Sequence, residues 1–544
     1  MLANSPFTYT PSGGDWLHIL PELILLAAVF VTLLADLATP EGRKGWLAVV
    51  GVVGAIASGA SLVYVGSLSS AATAFFGMVT SDGVALFSAA IVLLSLGLAL
   101  LFSPGYVERQ KITRIGEYYA LLQLAALGML LMAAANNLMT VFVGLETLSL
   151  ALYILCALPQ TRLRSQEAGM KYFILSSFAS AFLLYGMSLV YGSTGATDLP
   201  QIARFLGSHQ AALAQGFGPL LIVGIGLMAV GFGFKVSAVP FQAWTPDVYV
   251  GAPTPVTAFM SVGTKVAAFA ALIRVFVYAL QTQNSRWEPV IWALAALTMV
   301  VGNLLAVTQR DVKRMLAYSS VANAGYLLVA VTTASPRAIA SLLVYLAAYA
   351  AMNLGAFGVT LLVERGDGRG TRLEDFNGLG RRNPALAAAM AIFMFSLAGV
   401  PPTAGFIAKY FVFFAAIVGR QVPLAIIGIV ASILGMFYYL RVVWAMYFVD
   451  AQEMAATAAA PAPEPALAVV GASANGAQEA ASAVVAEPQI AAAQESEVIA
   501  AAPVHVPASS AVALVIAVAL TLLMVIVASP LDSYAQMAAS ALLH

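Results

Sequence analysis

Charge is scarce in this sequence: Asp, Glu, Lys and Arg make up 9% of its 544 residues, against about a quarter in ordinary soluble domains. With 61% of residues hydrophobic and a mean hydropathy of +0.91, a water-soluble globular chain is excluded. The 25 basic and 25 acidic residues cancel and form no basic stripe, which argues against a nucleic-acid partner. Cysteine is nearly absent. Cys156 alone can neither ligate an iron–sulfur cluster nor build a disulfide framework. The four histidines, His18, His209, His505 and His544, fall at span ends or in loops, leaving no imidazole pair to hold a haem between helices. The chain is expected to carry no cofactor or metal of its own.

What is plentiful is long apolar runs, and they predict an all-α polytopic membrane protein with the lipid bilayer as its solvent. A helix needs about 20 apolar residues to cross the hydrocarbon. Fourteen stretches qualify, near 17–37, 46–67, 82–102, 117–134, 137–158, 168–191, 219–250, 257–279, 290–308, 314–333, 337–363, 385–418, 423–448 and 510–529. The N-terminus has no positively charged lead and no persuasive cleavage site, so the first stretch reads as a retained span.

Orientation follows from Lys and Arg in the connections. With the N-terminus outside, fifteen basic residues face inward, among them Arg109, Arg162, Lys313 and Arg365, against Arg204, Arg286, Arg337 and Arg420 outside. The remaining six lie within spans: Lys171, Lys235, Lys265, Arg274, Lys409 and Arg441. Lys171, Arg274 and Arg441 are near enough to a membrane face to snorkel. Lys235, Lys265 and Lys409 are too deep for that.

Two stretches are too long for one crossing. Straight helices over 219–250 and 385–418 would run about 48 to 51 Å, against a hydrocarbon core of about 30 Å. Each contains a proline pair, Pro240 with Pro246 and Pro401 with Pro402, so both helices are expected to break inside the membrane. Such breaks survive only where protein or a watery cavity covers them, and recurring in two halves they point to a transport site. They do recur, each in the fourth of five spans, in units at 117–279 and 290–448. Five is odd, so consecutive units lie inverted in the bilayer. A three-helix segment, 1–116, precedes them. Residues 450–509 hold 23 alanines, six prolines, seven acids and no Lys or Arg, the composition of a disordered linker, and 510–544 hold the last span and tail.

Glu146, mid-span in MTVFVGLETLSLALYIL, reads as the most deeply placed carboxylate, with Ser149 and Tyr153 on its face at i+3 and i+7. Lys235 lies five residues before the first break, Lys265 follows Thr257 and Ser261 on its helix, and Lys409 follows the second break. A lysine at the bilayer centre costs about 2.5 to 3.5 kcal/mol. A lysine beside Glu146 would be held charged, and one moved away could shed its proton, as a switchable relay requires. An internal ion pair that only fixes packing is the alternative, but three lysines against one deep acid leave at least two without a partner. Ser341, Tyr345, Tyr349 and Asn353 form a polar stripe, joined by Ser319, Asn323 and Tyr326. Interhelical hydrogen bonds explain them as well as a water wire does. Asn136 and Asn303 read as packing contacts.

The runs KVSAVPFQAWTPDVYVGAPTPVTAFMSVGTKVA, QRDVKRMLAYSSVANAGY, GVPPTAGFIAKYFVF and EAGMKYFILSSFASAFLLYG closely resemble the proton-pumping, antiporter-like subunits of respiratory complex I. The resemblance spans nearly the whole chain except 450–509. It implies that Glu146, Lys235, Lys265 and Lys409 form a proton channel, and it adds a role for Lys171. It also implies a multi-pass protein of the bacterial inner membrane, partnered by other membrane subunits of complex I. NADH, FMN, iron–sulfur clusters and quinone would then be handled by those partners. Two rivals remain at this point: a subunit of a multisubunit Na⁺/H⁺ antiporter, distinguished by sodium-dependent proton flux without NADH, and a passive scaffold, distinguished by normal pumping after the deep lysines are neutralised.

Overall fold

Inside a bilayer the backbone has no water to bond with, so a chain this apolar must satisfy its polar groups within helices. The computed structural model describes residues 11–40, 44–68, 73–209, 218–366, 368–449 and 504–543; most of the expected 450–509 linker lies outside the described residues. Among the described residues, thirteen helices are long and apolar enough to cross a membrane, and two shorter apolar helices, Pro384–Ala398 and Ala404–Val418, together make one further crossing.

The first six spans are Leu20–Ala38, Leu47–Leu68, Gly83–Arg109, Ile115–Ala133, Leu138–Ala157 and Leu163–Thr194. The seventh is split into Gly218–Lys235 and Trp244–Gly251, and the eighth runs Thr254–Leu272 before a wider turn at Ile273–Ala279. The ninth to eleventh are Asn284–Val307, Val312–Thr333 and Pro336–Val363; the split twelfth precedes Val422–Phe448 and the last helix, Ala508–Leu543. The eighth, tenth and eleventh spans are almost wholly enclosed by the others, while the first, sixth and last present broad faces outward.

Both expected breaks are present. In the seventh span the helix stops at Lys235 and resumes through a tight turn at Phe241–Ala243. Pro240 sits in this break, but Pro246 lies in the first turn of the resumed helix, where a missing N–H costs nothing. The break therefore needs one proline of the pair. Its freed backbone is satisfied by side chains: the Val239 amide donates to the Thr298 hydroxyl at 2.9 Å, and the Trp244 indole donates to the Phe234 carbonyl at 3.1 Å. In the twelfth span both Pro401 and Pro402 fall between the half-helices, and the first half ends on Gly399 in the left-handed region at φ 83°. Its freed carbonyls are received by a lysine, described below.

The third span opens on Asp82, whose carboxylate caps the helix by accepting from the Ala85 amide at 2.9 Å. Arg274 completes this corner. It does not snorkel: it is 1% exposed and donates to both Asp82 oxygens, at 2.8 and 2.6 Å, and to the Ala133 carbonyl at 3.0 Å. Spans three, four and eight are thus tied at one end.

A buried lysine axis as the candidate functional site

The break in the seventh span leaves Lys235 at the C-terminal end of its first half-helix, 2% exposed. Its ammonium donates to the hydroxyls of Ser149 at 2.6 Å and Ser176 at 3.2 Å and lies 5.6 Å from the centre of the Tyr172 ring. Ser149 comes from the face of the fifth span that its spacing from Glu146 predicted. Ser176, on the sixth span, was not singled out from sequence.

Glu146 is half-buried and makes no ion pair with Lys235 within 4 Å among the described residues. It lies midway along the fifth span, and Glu22, Asp82 and Glu364 are more fully enclosed by protein. The two groups are joined through the sixth span instead. Ser180 donates to Glu146 Oε1 at 2.5 Å, and Ser176, one turn earlier, accepts from Lys235. Residues four apart share a helix face, and both serines line a narrow crevice with Leu145, Gly231, Phe234 and Lys235. The signal was in the sequence, in FILSSFASAF, but a small hydroxyl on an apolar helix more often bonds its own backbone.

Lys265 is 1% exposed in the wholly buried eighth span. It donates to the hydroxyl of Ser320 at 2.5 Å and also to the Ser320 carbonyl, and lies 5.7 Å from the centre of the Tyr349 ring. Between Lys235 and Lys265 run Tyr172, Trp244 and Tyr249: the first two rings stack at 4.7 Å, and Trp244 meets Tyr249 edge-on at 6.1 Å. The phenol oxygens of Tyr172, Tyr249 and Tyr349 are buried without a hydrogen-bond partner among the described residues.

The tenth span carries the axis onward. Ser320 holds Lys265; Ser319 bonds Tyr439 at 2.5 Å; Asn323 accepts from Tyr345 at 2.6 Å. Tyr326 accepts from Asn303 at 3.1 Å, and the same Asn303 accepts from Tyr438 at 3.1 Å. Asn303 therefore belongs to this network and is not a mere packing contact, whereas Asn136 donates to the Gly77 carbonyl at 2.9 Å in a connecting loop, as a structural residue would. The polar stripe of the eleventh span lies on one face and packs inside the bundle: Tyr345 reaches Asn323, Tyr349 underlies Lys265, and Asn353 donates to Ser261 at 2.7 Å.

Lys409, 6% exposed, ends the line. It donates to the Leu397 and Ala398 carbonyls at 2.9 and 3.1 Å and to Ser432 at 2.9 Å, with the Tyr326 ring centre 5.3 Å away. Lys171 stands apart from this axis. It is partly exposed and pairs with Glu167 at 2.7 Å and Asp247 at 3.0 Å, and Arg314 reaches the same Asp247 at 3.3 Å.

The three deep lysines share one chemistry: each ammonium is held by neutral oxygens and an aromatic face. Among the described residues none has a carboxylate within 4 Å. Neutral partners can stabilise an ammonium and still let it lose its proton, which a tight ion pair resists. No cluster of three or more His, Cys, Asp and Glu able to hold a metal occurs among the described residues.

A sequence profile of the family described as NADH:quinone oxidoreductase/Mrp antiporter, transmembrane, matches residues 135–435, which contain every residue of this axis but Tyr438 and Tyr439. NADH-quinone oxidoreductase subunit N of Trichlorobacter lovleyi is 44% identical over 436 residues, covering 80% of this chain and 88% of that protein. The subunit N of Chloroflexus aggregans is 46% identical, covering 79% and 87%. Among solved structures, a chain of respiratory complex I from Thermus thermophilus with bound aureothin aligns with a TM-score of 0.67 at 31% identity, covering 92% of this chain and 97% of that one. A chain of the Mrp complex from a Dietzia species aligns with a TM-score of 0.75 at 21% identity, covering 97% of both, and shows the fold alone.

Proposed function

The chain belongs to the antiporter-like family of proton-translocating membrane subunits of NADH:quinone oxidoreductase, as a subunit N, and from that premise we propose how its residues move the proton. Protons are taken up from the inner side near Lys235, pass to Lys265, cross the hydrated midplane along Ser319, Asn323, Tyr326 and Tyr345, and leave outward by Lys409. Glu146 biases the charge state of Lys235 through Ser180 and Ser176, and Lys171 adjusts the inner surface through its pairing with Asp247.

One observation carries this reading: three lysines are buried in an apolar interior and each is held only by neutral oxygens and a ring. An ammonium at the bilayer centre costs about 2.5 to 3.5 kcal/mol, and a purely structural role would be served better by a carboxylate partner. The orphaned phenol oxygens along the axis support hydration, since buried polar groups nearly always find a partner in protein or water.

On this reading NADH, FMN, the iron–sulfur clusters and quinone are handled by partner subunits, and this chain sits in the bacterial inner membrane with its N-terminus outside. The subunit N relatives favour this over a sodium/proton antiporter, from which the shared family profile and the fold of the Mrp chain do not separate it. The test is proton export per NADH oxidised by the complex in sealed vesicles carrying Lys235→Met, Lys265→Met or Glu146→Gln. The relay requires export to fall in all three while the complex still assembles. Unchanged stoichiometry in all three rejects it.

A further inference from the structure

Glu364 ends the eleventh span on the inner side and is 3% exposed, a buried acid outside the lysine axis. Both its oxygens are engaged: the Thr254 hydroxyl donates to Oε2, the Tyr106 hydroxyl donates to Oε1 at 3.3 Å, and the Arg162 guanidinium lies 3.9 Å from Oε1. Lys313, 2% exposed, donates to the Ala252 carbonyl at 2.8 Å close by, adding a second positive charge to the field at this carboxylate. Arg109 caps the end of the helix, donating to the Leu361 carbonyl at 2.9 Å. Arg162 reaches solvent, with its side chain 22% exposed.

Thr254 opens the eighth helix, and Thr257, Ser261 and Lys265 follow it at i+3, i+7 and i+11. At 100° per residue those four share one face. The hydroxyls are held in line: Thr257 donates to the Tyr249 carbonyl at 2.9 Å, and Ser261 accepts from Asn353 at 2.7 Å. Asn353 and Glu364 are themselves eleven residues apart on the facing span, and Asn353 Oδ1 is buried without a hydrogen-bond partner among the described residues. A polar face about 16 Å long, at 1.5 Å per residue, thus joins a buried carboxyl at the inner surface to the central lysine.

We propose that Glu364 loads a second inner-side inlet, separate from the Lys235 entry and required in every turnover, that feeds Lys265 along the Thr254, Thr257 and Ser261 face. In its carboxylic-acid form it gives up the O–H proton. Hydroxyls and water on that face hand the proton on, and an N–H bond forms on the neutral Lys265 amine. The carboxylate left behind lies 3.9 Å from the Arg162 guanidinium, whose positive charge stabilises it until it takes the next proton from inner water. The inference rests on the lysine relay proposed above.

The experiment uses the assembled complex in sealed vesicles, with the amount of complex normalised by NADH oxidation with a water-soluble electron acceptor. Glu364→Gln should slow NADH-driven proton export per complex at least about tenfold, a conservative share of the 10²- to 10⁴-fold that one acid–base group contributes. Glu364→Asp should restore most of it. A cluster that only ties helix ends together would lower the yield of complex and leave export per complex unchanged, and that result overturns the proposal. If Glu364→Gln does not assemble, Thr257→Val with Ser261→Ala decides: slowed export supports the path, and unchanged export overturns it. Lys265→Met in the same assay separates the two readings. If it too exports normally the relay itself fails, and if it alone is impaired only the Glu364 inlet fails.

Discussion

The Lys409 ammonium lies 2.9 Å from the Leu397 carbonyl oxygen, across the break in the twelfth span. The first half-helix ends at Ala398, so its last carbonyls have no amide to receive them, and its dipole places partial negative charge where the lysine sits. The break and the lysine therefore explain each other: the broken helix supplies neutral acceptors for a buried cation, and the cation satisfies carbonyls that lipid could not. Lys235 closes the first half of the seventh span in a related position, at the helix end but with serine hydroxyls as acceptors.

Replacing Lys409 by arginine tests whether its proton or its charge matters. Arginine keeps the positive charge and can still bond the Leu397 and Ala398 carbonyls, but it does not deprotonate in proteins. Lys409→Arg should assemble better than Lys409→Met, yet both should export protons at least about 100-fold more slowly if the group is an obligatory acid–base step. Export by Lys409→Arg at the wild-type rate, measured in sealed vesicles, would reduce the lysine to a helix-end cap.

The bridge from Glu146 to Lys235 through Ser180 and Ser176 predicts non-additive effects. A hydrogen bond to a charged group contributes about 1.5 to 3 kcal/mol, so Ser180→Ala should shift the proton-export rate by about tenfold or more. With the Ser180 contact removed, adding Glu146→Gln should cost less than it does alone, because only the through-space charge of the carboxylate is left to lose. Independent, multiplicative losses in the double variant would mean that Glu146 acts by another route.

Hydropathy and proline content made the spans and both breaks legible, because a bilayer imposes a fixed length and a backbone that must bond internally. The lysines were legible for the same reason: a deep charge stands out against an apolar run. What the sequence concealed is partnership across distance. Arg274 reads as a snorkelling residue because its partner, Asp82, is 192 positions away. Lys313 reads as an inner-loop charge because nothing in QRDVKRMLAYSS says that it will be buried and bonded to the Ala252 carbonyl, 61 positions away. Ser176, Ser320 and Ser432 are ordinary small residues until a neighbouring helix brings a lysine to them. Glu146 reads as deep because its place along the helix is central, yet depth along the membrane normal says nothing about which side of the bundle a residue faces.

The Asp82–Arg274 pair should govern stability rather than transport. Removing one member of a buried ion pair typically costs about 3 to 5 kcal/mol, because the survivor is left uncompensated. Asp82→Asn should therefore lower the thermal midpoint of the purified complex subunit, while proton export per surviving complex is unchanged. Its pH dependence has a definite sign. Burial raises the Asp82 carboxyl, but the adjacent Arg274 charge and its hydrogen bonds outweigh burial and hold it below its ordinary value of 3.8. A folded-state value below the unfolded one adds stability above about pH 4, and this is lost only as pH falls further. The stability difference between wild type and Asp82→Asn should thus stay flat from pH 8 to 5. A gap that closes within that window would contradict the assignment.

The fourth and fifth spans meet at Gly128 and Gly144, and that crossing sets where Glu146 and Ser149 stand. A Cβ on Gly128 would lie 2.4 Å from the Leu148 amide nitrogen and 2.8 Å from the Gly144 carbonyl; one on Gly144 would lie 2.7 Å from the Met132 amide nitrogen. All are backbone atoms, so no side chain can rotate away, and the helices must part. Such close approach of small residues is how membrane helices gain packing where no hydrophobic force acts between them. Overpacking of this kind costs about 1 to 3 kcal/mol. Gly144→Ala should move the fifth span outward and lengthen the 2.6 Å contact between Lys235 and Ser149. Export per complex should fall together with stability, unlike Asp82→Asn, where only stability falls. Gly97 is the control on the third span: nothing lies within 4 Å of a Cβ built there, and Gly97→Ala should leave both quantities unchanged. If Gly144→Ala matched Gly97→Ala in export, the position of the fifth span would not matter to the relay.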